Sequence, residues 1–173
     1  AGTSGHLIGG VLAAVLVGPW LGALALTVVL IVQGFFFADG GLSALGLNVV
    51  NMAVVGALFG YLIYRGLLAL LPKTRTGLLT SAGVAAFLSV VLASMTFVLE
   101  YAIGGEGGAS VGTGAAAMGG VHLLISIGEG LITGLVVGAV LATRPDLVAG
   151  APKVEVKAHG EAPVVVPGDR RGG

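Results

Sequence analysis

The chain has no cysteine and little charge: Asp, Glu, Lys and Arg make up 9% of its 173 residues, against about a quarter in ordinary soluble domains. Without cysteine there is neither a disulfide framework nor a thiolate ligand, so any bound metal must be held by nitrogen and oxygen donors. Net charge is zero and the pI is near 7.1, which leaves no basic footprint for nucleic acid. Enzyme signatures are missing as well. There is no His-Glu-x-x-His, no serine elbow, no nucleotide loop and no pair of carboxylates on one helical face, and the glycine-rich stretch at 104–114 lacks the Lys-Ser/Thr ending of a phosphate cradle. What remains is apolar: 56% hydrophobic residues and a mean hydropathy of +1.07 mark an integral membrane protein.

The sixteen charges are unevenly spread. Seven fall in the first 143 residues and nine in the last thirty, which predicts a membrane domain over 1–147 and a disordered cytoplasmic tail over 148–173. A transmembrane helix needs about 20 apolar residues, and four segments qualify: 20–37, 47–71, 77–101 and 117–143. His6 to Gly18 is equally apolar but too short to cross alone before Gly18-Pro19, since a helix rises about 1.5 Å per residue. It reads either as a short helix starting inside the membrane or as the end of a longer span. The expectation is an all-α, polytopic transmembrane bundle of about five membrane helices. Arg65, Lys73, Arg75, Arg144 and Lys153 lie at the ends opposite Asp39, Glu100 and Glu106, so the basic ends are predicted to be cytoplasmic and His6 external. Trp20, Tyr61 and Tyr64 read as anchors at the inner interface.

Ionisable groups inside hydrocarbon cost several kcal/mol by most estimates, so each needs a partner or a task. His6 precedes thirty-two residues without a charge. With Ser4 as N-cap it is predicted in a first helical turn, where the dipole favours the neutral imidazole that binds metals. His122, Ser126 and Glu129 recur at i, i+4 and i+7, on one face of the last span. That face can serve as a metal contact, as a carboxylate orienting a ligand, as a proton relay, or as ordinary helix-to-helix bonding. Asn48 and Asn51 share a face of their own and read first as interhelical hydrogen bonds. Glycines four apart at 56 and 60, and at 130, 134 and 138, predict packing seams where backbones approach closely.

Several strings point further when taken in order: Gly2-Thr3-Ser4-Gly5-His6, Gly18-Pro19-Trp20, Phe36-Phe37-Ala38-Asp39-Gly40-Gly41, Leu45-Gly46-Leu47-Asn48, Asn51-Met52, and Ile127-Gly128-Glu129-Gly130-Leu131-Ile132-Thr133. Residues 1 to about 147 thereby resemble the CbiM/NikM family, the substrate-capturing membrane subunits of energy-coupling-factor importers for cobalt and nickel. The resemblance implies a multi-pass protein of the bacterial plasma membrane that carries Co(II) or Ni(II) as cargo and holds no permanent cofactor. It implies four partners: a membrane coupling (T) subunit, two cytoplasmic ATPase subunits and a small CbiN-like accessory protein. It also implies that the ion is gripped by a free N-terminal amine, by the backbone and imidazole of a histidine in a Met-His-Ile-Pro type start, and by the histidine of a Gly-Thr-x-x-His motif. That last histidine maps onto His6; from the residues themselves, and not from the resemblance, His122, Glu129 and Asn48 are candidates for a supporting shell. The Met-His start is not in this sequence, which reads as an N-terminally truncated form. Rival readings are an energy-coupling subunit for another small solute such as a vitamin, and a structural membrane protein that transports nothing.

Overall fold

The computed structural model describes residues 5–37, 40–105 and 108–151, and every regular element within them is helical. Five helices follow one another: α1 (Gly10–Val17), α2 (Pro19–Phe36), α3 (Leu42–Leu70), α4 (Arg75–Gly104) and α5 (Val111–Thr143). Four of them, α2 to α5, are long and apolar enough to cross a membrane. The eight residues of α1 reach only about 12 Å, less than half of a hydrocarbon core. Ser4, Asp39, Glu106, Lys153 and the expected tail from residue 152 onward lie outside the described residues.

Two glycines shape the start of the bundle. Gly9, the N-cap of α1, has φ 67°, and Gly18, between α1 and α2, has φ 90°; side chains rarely tolerate such values. Gly18 alone joins the two helices, and Pro19 opens α2, where its missing N–H costs nothing. The chain therefore folds straight back. A Cβ on Gly22 would meet the Ala14 backbone at 2.9 Å, so the short helix and the long one lie backbone to backbone. The expected helical turn at His6 is corrected: α1 begins at Gly10, and His6 belongs to the non-helical segment leading into it.

Helix α3 changes winding along its length. Val49–Phe59 winds as a π-helix before Gly60–Leu70 resumes the α form; this wider coil is rare and mostly met as single-turn bulges inside α-helices. Its buried residues Asn51, Ala53, Val55, Gly56 and Ala57 face the other helices. Helix α4 is long and small on its inner face, with Ser81, Ala82, Ala85, Ala86, Ser89 and Ala93 buried. Such residues let neighbouring helices approach where lipid provides no hydrophobic drive. The predicted glycine seams lie in this packing: a Cβ on Gly130 would sit 2.8 Å from the Gly83 carbonyl oxygen, and one on Gly60 would lie 2.6 Å from Val11 Cγ2.

A core of Val11, Val15, Tyr64, Leu78, Ala82, Ala85, Ala86 and Val137 fills the end of the bundle away from His6. Tyr64 is fully buried and donates from its hydroxyl to the Ala149 carbonyl at 2.6 Å, which corrects its reading as an interfacial anchor. Val148 is buried and Ala149 N–H donates to Val15 O, so the packed bundle continues past residue 147 to Ala151. Trp20 is 77% exposed at the head of α2, as an interfacial residue would be. Leu124, Leu131 and Leu135 form an exposed apolar stripe on α5 of the kind lipid covers.

Helices α1 and α3 also lie backbone to backbone, where a Cβ on Gly10 would lie 2.6 Å from the Gly56 carbonyl carbon. Gly10→Ala is expected to push the two helices apart and destabilise the fold by about 1–3 kcal/mol. A melting temperature in detergent equal to the parent's would contradict this packing.

Candidate functional site

Glu129 lies on the buried face of α5 and is 3% exposed. Its Oε2 accepts from the Ile8 N–H at 2.9 Å and its Oε1 from the Gly9 N–H at 2.6 Å. The carboxylate thus caps α1 from more than a hundred residues away in sequence. The first intrahelical bond, Ala13 N–H to Gly9 O, begins immediately above it. A helix N-terminus carries unpaired amides and partial positive charge, and Glu129 takes one of those amides, that of the N-cap Gly9, together with the Ile8 amide before it. Because the bound amides are those of residues 8 and 9, the clamp also holds the backbone two residues from His6.

His6, half-buried, lines a cavity of about 180 Å³ together with Asn48, Asn51, Met52, Ser94, Phe97 and His122, among others. Helix α5 supplies His122, which is 8% exposed and has its Nδ1 2.8 Å from the Met118 carbonyl one turn earlier. A carbonyl only accepts, so Nδ1 carries the proton of this bond, and in a neutral ring the lone pair is then on Nε2. Ser126 returns its own hydroxyl to the His122 carbonyl. Gly5 lies against this face of α5: a Cβ on it would meet Ile125 Cδ1 at 2.7 Å and His122 Cε1 at 3.9 Å.

The cavity therefore brings together His6, His122 and Asn48 from three separate elements. Glu129 does not line it; at seven residues beyond His122 it lies about 10 Å deeper along the helix and acts on backbone amides. The aligned His122, Ser126 and Glu129 share one buried face but have separate tasks. Asn48 donates to Gly40 O at 3.3 Å and holds the chain leaving α2 against the cavity rim. Asn51, read first as an interhelical bond, does make one, from Nδ2 to Glu100 Oε2 on α4 at 2.8 Å, and it also faces the cavity. Glu100 was read only as a flanking charge, and no spacing pairs it with Asn51 across 49 positions of sequence. Met118 could have been found, since it stands four residues before His122.

Chemically, the cavity offers imidazole nitrogens and amide groups among apolar walls. Among the described residues no group of three or more His, Asp or Glu side chains stands close enough to hold a metal ion. Two histidines supply only part of a coordination sphere, and nitrogen donors of this kind suit borderline divalent ions better than magnesium or calcium.

A family profile described as "Cobalt uptake substrate-specific transmembrane region", CbiM, matches residues 1–147. A putative fused nickel transport protein NikMN of Archaeoglobus fulgidus is 40% identical over 147 residues, 85% of this chain and 48% of its own length. The cobalt transport protein CbiM of Geobacter sulfurreducens is 35% identical over 167 residues, 94% of this chain and 47% of its own. The chain thus spans about half the length of these curated relatives. Among solved structures, a truncated transition metal transporter matches with a TM-score of 0.73 and 32% identity, over 82% of this chain and 70% of that one. These relatives and this structural neighbour are metal transporters and not enzymes.

Removing one acceptor from the clamp tests its structural weight. Glu129→Gln keeps a single carbonyl oxygen for two amides and turns an NH₂ toward the other, leaving it unpaired, which is expected to cost about 1–3 kcal/mol. Thermal unfolding in detergent should show a clear drop, and Glu129→Asp should not restore it because the shorter side chain cannot reach α1. A Glu129→Gln protein as stable as the parent would show that the clamp carries no load.

Proposed function

Since the chain belongs to the CbiM family, we propose that it is the ion-capturing membrane subunit of an importer for divalent cobalt or nickel. The observation that carries this reading is the cavity, which collects His6 from the segment before α1 and His122 from α5 among amide groups inside an apolar bundle. On this reading His6 is a direct ligand through its imidazole. His122, with Nδ1 tied to Met118 O, presents Nε2 as a supporting nitrogen. Asn48 shapes the rim, and Glu129 fixes the backbone that carries His6. Family resemblance supplies the remaining donors: an N-terminal amine, with the backbone nitrogen and imidazole of the Met-His start. Four nitrogens of that kind favour Ni(II) and Co(II) over hard ions through donor type and geometry.

The cavity end of the bundle faces the outside of the plasma membrane, and the end with Arg65, Lys73 and Arg75 faces the cytoplasm, following the bias of basic residues. The ion is cargo and enters from the external side. Its release inward is driven by partners: a membrane coupling subunit, two ATPase subunits and a small accessory membrane protein. The relative described as a fused NikMN protein supports a tie between this kind of subunit and an accessory one. The chain itself supplies binding and orientation and no ATP chemistry.

His6→Ala is expected to lower metal affinity and metal-dependent accumulation by more than about tenfold, with membrane expression unchanged. Radiometal uptake in cells and titration of Ni(II) into the purified protein both read this out. Uptake and binding at parental levels would overturn the assignment.

A further inference from the structure

A second cavity, of about 450 Å³, lies at the other end of the bundle, where α3 ends, α4 begins and the chain leaves α5. Pockets that hold small ligands measure about 300–1,000 Å³, so it is more than a packing gap. Its walls are tied down. Tyr64 holds the Ala149 carbonyl, Val15 O holds the Ala149 amide, and Gly150, at φ 81°, brings the chain against Leu68. In the turn between α3 and α4, Thr74 N–H donates to Pro72 O at 2.7 Å and Thr74 Oγ1 accepts from Gly77 N–H at 3.1 Å, which holds Lys73 between two fixed residues. Leu68, Ala69, Pro72 and Leu78 form apolar walls, and Arg65 and Lys73 supply the charge.

Among the described residues no carboxylate lines this cavity to balance that charge. Glu129 is bound to the Ile8 and Gly9 amides, Glu100 to Asn51, and Asp146 to Arg144 at 2.7 Å. Arg65 and Lys73 are exposed, and the face of α3 that carries Arg65 and Ala69 also carries Leu62 and Leu70, 63% and 82% exposed. The cavity thus adjoins an apolar surface of the kind that meets lipid. A guanidinium fork and an ammonium group match the oxygens of a phosphate, and exposed leucines beside them suit acyl chains. We propose that this cavity binds the phosphate group of an anionic membrane lipid, held by Arg65 and Lys73 with the lipid's chains along Leu62 and Leu70. A soluble phosphate compound shares the charge chemistry and lacks the apolar contact. Arg75 follows in the same turn, reaches toward Gly138 O at 3.5 Å and does not line the cavity, so it separates a site from the general bias of basic residues toward one membrane face. The proposal stands independently of the cation reading.

The test is native mass spectrometry of the purified full chain in neutral detergent, titrated with phosphatidylglycerol, with phosphatidylcholine and with inorganic phosphate, alongside thermal unfolding in each. Phosphatidylglycerol should bind and raise the melting temperature, and phosphatidylcholine should do neither. Arg65→Gln and Lys73→Gln should each weaken phosphatidylglycerol binding about fivefold, the worth of one basic residue at an anionic lipid surface, and Arg75→Gln by less than about twofold. Equal binding of phosphatidylcholine, a loss in Arg75→Gln as large as in the other two, or parental affinity in both Arg65→Gln and Lys73→Gln would each overturn the proposal. Inorganic phosphate that displaces the lipid and by itself raises the melting temperature as far would overturn the lipid in favour of a soluble phosphate compound. If a variant does not accumulate as folded protein, the parent's salt dependence decides. A charge pair at an open cavity is screened, so a phosphatidylglycerol affinity that does not fall from low to high salt would overturn the proposal as well.

Discussion

A carboxylate inside an apolar bundle must find donors, and the N-terminus of a helix that starts inside the bundle must find acceptors. Glu129 and the amides of Ile8 and Gly9 at the start of α1 meet part of both needs together. Either one alone would be costly: an unpaired carboxylate is expelled from hydrocarbon, and open amides away from water cost several kcal/mol by most estimates. Joined, they permit a helix of eight residues where the chain could otherwise only cross or leave. The position of His6 follows from this, since the residue lies just upstream of the clamped amides and lines the cavity with His122 of α5.

The clamp needs close packing around it. Gly10 against Gly56, Gly60 against Val11 and Ser89, and Gly83 against Gly130 bring backbones within reach where any side chain would collide. Ile8 shows how the contacts connect. Its amide is held by Glu129, and its side chain joins Val55, Val90 and Ala93 in the small core next to the cavity. The π-wound part of α3 presents its small residues to this core and Asn51 to the cavity. Packing and site are therefore built from the same residues.

Much of this was legible in the chain. The spans, the short first segment, the glycine seams and the shared buried face of His122 and Glu129 all follow from hydropathy and helical spacing, because those signals are local and periodic. Ordered motifs pointed to the family as well. The start of α1 was not legible: an apolar run with serine before it reads as a capped helix, and nothing local says that the cap comes from residue 129. Tyr64 was misplaced for a related reason, since an amphipathic ring suits an interface until a distant carbonyl, that of Ala149, takes its hydroxyl inside the bundle.

By itself the amino-acid order determined that this protein lives in a membrane, crosses it with a set of long helices and spends its few internal polar groups sparingly, because transfer of a segment from water to lipid depends on composition along that segment alone. Which polar groups face one another was decided only by the tertiary structure. Asn51 and Glu100, or Glu129 and the amides of Ile8 and Gly9, are joined across 49 and more than a hundred positions. Hydrogen bonds require donor and acceptor within about 3 Å at the right angle, a condition that helix packing sets and spacing along one chain does not express.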